Sequence, residues 1–227
     1  MQTSEKPMVQ SGPAKHVKLL LWAECLIFFF LLPGALYFFR HELAFRVVPL
    51  VLVLALGCGI YLARRPDFSC RAFYACGDFP LHLRRVLYLF LPSAALLLLA
   101  AWLFLPERFL SFPKARPGVW AMVMLLYPLL AAYPQEIVFR GFFFERYKAI
   151  LPNEPALLAV NGLSFGLAHA LYGNWLAPVL AALGGVLFGY RYLRSGSLIL
   201  AGLEHGLWGN LLFTSGWGWF FYSGAIQ

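Results

Sequence analysis

The chain has 227 residues, of which 61% are hydrophobic and only 12% charged, with a net charge of +8. Soluble domains are roughly half apolar and about a quarter charged, so these proportions exclude a soluble globular protein and leave an integral membrane protein, of a length that suits one compact helix bundle. The basic residues are scattered between apolar runs rather than gathered on a soluble module, which excludes a nucleic-acid partner and leaves the lipid bilayer, with its anionic headgroups, as their surroundings.

In chain order, Met1–His16 is polar, carries Pro7 and Pro13, and reads as a flexible cytoplasmic tail. A helix needs about 20 apolar residues to cross the hydrocarbon core. Runs of about that length occupy Val17–Phe39, Ala44–Leu62, Val86–Leu105, Trp120–Tyr147, Pro155–Tyr172, Trp175–Leu193 and Gly196–Thr214. The fourth is long enough to project beyond the membrane. The first is too long for a signal peptide and has no small-x-small cleavage site after it. An aromatic tail, Trp217–Tyr222, is expected at the interface or half inserted. The expected fold is therefore all-α, a polytopic transmembrane bundle of about seven or eight membrane helices.

The expected organisation has four parts. Residues 1–16 form the tail, 17–105 a scaffold of lipid-facing helices, 118–214 a polar-cored unit, and 215–227 an aromatic C-terminal tail. The proline-punctuated loop Pro106–Gly118 separates scaffold from core. The later spans hold Gly162, Gly166, Gly184, Gly185, Gly189, Gly202, Gly206 and Gly209, and small residues let helix backbones approach closely in lipid.

Lys6, Lys15, Lys18, Arg64, Arg65, Arg71, Arg84, Arg85, Arg140, Arg146, Lys148, Arg191 and Arg194 fall at ends of spans that share one side of the membrane. By the positive-inside rule that side, with the N-terminus, is cytoplasmic. The short chain without a eukaryotic targeting signal suits a bacterial inner membrane. Cys25 and Cys58 lie within spans and read as small core residues, while Cys70 and Cys76 share a cytoplasmic loop where a disulfide is not expected.

The chemistry rests on ionisable residues inside apolar runs. Such groups are costly in lipid and mark functional sites unless they are structural pins. Glu136 and Arg140 are four apart in the fourth span and share a face, which Phe143 and Tyr147 continue, while Gln135 points about 100° away. Taken alone, the pair serves equally well as a neutralised pin between helices. His169 in the fifth span and His205 in the seventh change that balance. Two imidazoles, a carboxylate, an arginine and amides supply what water activation needs: a base, a group to orient it, and donors for an oxyanion. The sequence has no HExxH, no GxSxG, no GxxxxGK[ST] and no GxGxxG, which sets aside zincins, serine hydrolases and nucleotide enzymes.

The second half resembles the CPBP family of intramembrane proteases, which contains the type II CAAX prenyl endopeptidases and Abi-type proteins. Glu136-Ile137-Val138-Phe139-Arg140-Gly141 is similar to the family's first motif, and Phe165-Gly166-Leu167-Ala168-His169 to its Phe-x-x-x-His motif. Gly184-Gly185-Val186-Leu187-Phe188-Gly189 leads to the turn Arg194-Ser195-Gly196-Ser197. His205 then stands where the family places its second histidine. The resemblance implies an intramembrane endopeptidase that acts on a membrane protein or peptide by non-covalent attack of water. It implies catalytic roles for Glu136, Arg140, His169 and His205, with His169 the water partner and His205 an oxyanion donor. No cofactor is implied, although Glu136, His169 and His205 also make a conceivable zinc set.

Two positions depart from the family pattern. The first glutamate of the motif is Gln135, so either Glu136 turns into the site as the base or hydrolysis is lost. The family's asparagine falls on Gly209, with Asn210 one residue further and off the face of His205 unless a π-bulge restores it. Gln135 and Asn210 are therefore candidate oxyanion or site-lining residues. The rival readings are a catalytically inactive relative that binds or stabilises a membrane partner, and a small proton-coupled transporter using the same polar relay.

Overall fold

The computed structural model describes residues 14–43 and 46–221. The N-terminal tail up to residue 13, the start of the second predicted span at residues 44–45, and residues 222–227 of the aromatic tail lie outside the described residues. The long helices are α1 (Lys15–Phe38), α2 (Val47–Ala63), α3 (Phe79–Phe104), α4 (Pro117–Tyr147), α5 (Glu154–Tyr172), α6 (Leu176–Ser195) and α7 (Leu198–Ser215). A 3₁₀ turn follows at Trp217–Phe221. Among the described residues there is no strand, so the all-α polytopic bundle stands.

Five of these helices, α1, α3, α4, α5 and α6, are long and apolar enough to cross a membrane. Helix α2 is apolar but has 17 residues. In α7, Glu204, His205 and Asn210 dilute the apolar run. Helix α4, at 31 residues, is roughly 46 Å long by the rise of an α-helix, well beyond a hydrocarbon core of about 30 Å.

Local chemistry sets the helix ends. Asp78 caps α3 by accepting from the Leu81 N–H, Asn153 caps α5 through the Ala156 N–H at 2.8 Å, and Ser197 caps α7 through the Leu200 N–H. The turn from α6 to α7 is closed by Gly196 at φ +63°, a conformation that favours a residue without Cβ. Two prolines also leave a mark. Pro33 and Pro134 lack an N–H and crowd the carbonyl four residues back. The chain meets both with a wide, π-helical turn around that carbonyl, at Ile27–Leu31 and Pro128–Ala132. A third wide turn, Ile137–Phe142, lies inside the polar motif and is pinned by Asn161, whose amide donates to the Phe139 carbonyl at 2.6 Å.

The outside of the bundle is apolar, as a lipid solvent requires. Leu19 is 71% exposed and Phe104 74%, so the hydrophobic faces of α1 and α3 look outward. Inside, Phe29 of α1 packs among Phe139, Phe142, Phe143 and Tyr147 of α4. The predicted stripe from Glu136 through Tyr147 therefore does not face one neighbour. The wide turn rotates Phe143 and Tyr147 toward α1, leaving Glu136 and Arg140 toward α6 and α7.

The closest helix pair is α5 with α6. A Cβ on Gly185 would stand 2.8 Å from the Gly162 Cα, and one on Gly166 would meet the Pro178 carbonyl. Backbone cannot yield as a side chain can. Gly185→Ala is expected to lower stability by about 1–3 kcal/mol, read as a lower unfolding temperature in detergent. Gly57→Ala in α2, where a Cβ meets nothing, is the control and should not lower it.

Two further ion pairs hold the bundle. Arg146 clasps Glu24 of α1 with Nε and Nη2 at 2.8 and 2.6 Å, and Tyr147 also donates to that carboxylate. Arg191 of α6 clasps Glu204 of α7 with Nε and Nη2 at 2.6 and 3.2 Å. Arg146 thus ties the end of α4 to α1. All four cysteines are free.

Candidate active site

Helix α4 delivers Glu136 and Arg140 to the middle of the bundle, and both are completely buried. Glu136 Oε1 lies 2.8 Å from Nδ1 of His205 on α7. Its Oε2 lies 3.1 Å from Arg140 Nε, close but off the hydrogen-bonding direction, so this contact is an ion pair rather than an aligned bond. Arg140 also donates through Nη2 to the Gly185 carbonyl of α6 at 3.1 Å. Its guanidinium sits over the Phe165 ring, 4.5 Å from the centroid, and 5.5 Å from that of Phe188. Apolar walls with a single carboxylate make a tight pair here, since little else can compensate either charge.

The His205 imidazole stacks on Phe188, with centroids 4.6 Å apart and planes at 14°, and meets Phe165 edge-on. Hydrogen bonding settles its tautomer. A carboxylate only accepts, so the proton sits on Nδ1 and Nε2 keeps its lone pair. Nε2 is 3.1 Å from the Tyr127 hydroxyl of α4.

His169 stands where α5 tightens into a 3₁₀ turn, His169–Tyr172. Its Nδ1 lies 2.8 Å from the Phe165 carbonyl, which again places the proton on Nδ1 and leaves Nε2 as an acceptor. The ring packs against Phe165, Tyr172 and Phe221.

A cavity of about 520 Å³ lies among these helices. Gln135, His169, His205 and Tyr127 line it, with apolar walls from Val47, Val51, Leu97, Leu187 and Phe213. Helices α2 and α3 and Phe221 of the 3₁₀ turn thus contribute to its wall along with α4 to α7. Glu136 and Arg140 are not among its lining residues. The structure brings Gln135, His169 and His205 to one space, and Glu136 reaches that space through His205. Asn210 is not brought there. Helix α7 is α-helical throughout, without a π-bulge, and the Asn210 amide donates to the Met124 carbonyl at 3.0 Å.

The donor set does not fit a zinc ion. Among the described residues, no three histidine, cysteine or carboxylate side chains come together to hold a metal. Glu136 is already shared between Arg140 and His205, with no oxygen turned to the cavity.

Sequence reasoning passed over Tyr127. It sits in an apolar run where an aromatic residue carries no signal of its own. The signal was the glycine at position 209, because a small residue in a packed helix means that something else fills the space. A Cβ at Gly209 would overlap the hydroxyl-bearing edge of the Tyr127 ring, 2.1 Å from its Cε1.

A buried carboxylate–imidazole pair and a second imidazole around one cavity, inside an all-α bundle of apolar helices, define an integral membrane protein with polar groups at a largely apolar cavity. Residues 117–211, rather less than half of the chain, match the family model described as type II CAAX prenyl endopeptidase Rce1-like. That segment is similar to this family, whose description is that of an endopeptidase. No curated protein and no solved structure matches the chain.

Proposed function

We propose that this chain is an intramembrane endopeptidase that hydrolyses a peptide bond of a membrane-associated protein or peptide, using water activated by the Glu136–His205 pair and His169. The observation that carries this reading is that Gln135, His169 and His205 line one cavity within the family-matching segment. The family's name refers to prenylated CAAX substrates. A mostly apolar cavity wall suits a peptide that arrives from the bilayer with an apolar attachment or stretch of its own. The basic residues at the ends of α1, α4 and α6 and in the α2–α3 loop support an N-terminus in the cytoplasm, and we assign the chain to a bacterial inner membrane.

In this mechanism His169 Nε2 accepts a hydrogen bond from the attacking water and fixes its position. Gln135 cannot accept a proton, since its amide is neutral, but its NH₂ can donate to the oxygen that becomes negative as the carbonyl is attacked. Glu136 lies behind His205 and acts through it, holding the Nδ1 proton and stabilising the imidazolium that forms when the ring takes up a proton. Arg140 neutralises and positions Glu136 without meeting the substrate.

The test is cleavage of a membrane-anchored reporter by purified protein in liposomes. His169→Ala and His205→Ala are each expected to reduce the rate by about 100-fold or more, the usual worth of a positioned acid–base group. If both variants cleave as fast as wild type, the proposal is wrong.

A further inference from the structure

Both ring nitrogens of His205 are occupied. Nδ1 meets Glu136 at 2.8 Å and Nε2 meets the Tyr127 hydroxyl at 3.1 Å. With the imidazole proton on Nδ1, the phenol must be the donor to Nε2, which leaves its oxygen lone pairs free to accept, and Tyr127 and His205 line the same cavity. His205 therefore has no free nitrogen with which to meet a water or a carbonyl. Any proton that reaches the Glu136–His205 pair has to come by way of Tyr127.

The packing around the phenol holds it in that place. Its ring lies edge-on to Phe213, centroids 5.3 Å apart, and fills the space that any side chain at position 209 would need. The two features belong together: glycine at 209 admits the ring, and the ring brings a hydroxyl to the histidine.

We infer that Tyr127 is a catalytic residue, the cavity end of a proton relay that runs through His205 to Glu136 and replaces the carboxylate missing at Gln135. This rests on the endopeptidase reading above. The attacking water donates one hydrogen to His169 Nε2 and the other to the Tyr127 oxygen. As the water oxygen bonds to the carbonyl carbon, its proton passes to Tyr127 and the phenol's own proton passes to His205 Nε2. The imidazolium so formed keeps its Nδ1–H on Glu136. When the tetrahedral intermediate collapses, the C–N bond breaks and the proton returns along the same path to the leaving nitrogen. The products are a carboxylic acid and an amine, and every group of the relay ends as it began.

The experiment compares full-length wild type with Tyr127→Phe, which removes one oxygen and leaves the ring in its slot. Tyr127→Phe is expected to unfold at the same temperature and to cleave the reporter about 100-fold more slowly. The wild-type rate should depend on deuterium content with the curvature of two moving protons, and the variant's residual rate should lose that curvature. A folded Tyr127→Phe that cleaves as fast as wild type overturns the inference. A second arm needs no activity: in ¹⁵N-histidine spectra, with His205 assigned by its loss in His205→Ala, the Nε2 resonance should move in Tyr127→Phe. An unmoved resonance overturns the relay. A wild type that cleaves nothing overturns the endopeptidase reading and the catalytic role together, and the nitrogen spectrum then decides whether the phenol link itself stands.

Discussion

Glu136→Ala is expected to destabilise the bundle by about 3–5 kcal/mol and to abolish reporter cleavage, because removing one partner of a buried pair leaves the other charge uncompensated. Arg140 would keep its bond to the Gly185 carbonyl and its place over Phe165, but no anion would face it in a space sealed from water. His205 would lose the acceptor that fixes its tautomer. Thermal unfolding in detergent reads the first effect. The double variant Glu136→Ala/Arg140→Met separates charge from packing: with both charges gone, much of the lost stability should return while cleavage stays absent. If Glu136→Ala unfolds at the wild-type temperature, the carboxylate is not the counter-ion the geometry assigns.

The helices were legible because lipid demands long apolar runs, and such runs stand out in any sequence. What hydropathy reads is the membrane-embedded stretch, not the helix. The third span was expected from Val86, yet α3 starts at Phe79, since His82, Arg84 and Arg85 continue the helix under the Asp78 cap. The meeting of Glu136, Arg140 and His205 was legible too, because charges inside apolar spans need partners. Applied to Glu24 and Arg191, the same demand would have called for the Arg146 and Glu204 pairs, which were passed over. The rotation at Ile137–Phe142 was not legible. A helix wheel assumes 3.6 residues per turn, and one wide turn is enough to send Phe143 and Tyr147 to a different neighbour from Glu136. Tyr127 was hidden for another reason: its role depends on an absent side chain at Gly209, in a helix far along the chain.

Gln135→Ala is expected to lower kcat by about 100-fold with KM little changed, the signature of losing an oxyanion donor that acts only once charge develops on the carbonyl oxygen. Gln135 lines the cavity, whereas the adjacent Glu136 is buried behind His205, so the neutral amide and the carboxylate have separate tasks. Gln135→Glu decides between two accounts of this position. If the native chain simply lacks its base, a carboxylate here supplies one and the rate rises. If the base is reached through Tyr127 and His205, the carboxylate removes a donor and sets a negative charge where another must form, so the rate falls at least as far as in Gln135→Ala. The second outcome is expected, measured as initial rates on the reporter near neutral pH. A faster Gln135→Glu enzyme would overturn both the amide's role as oxyanion donor and the claim that the relay provides the base.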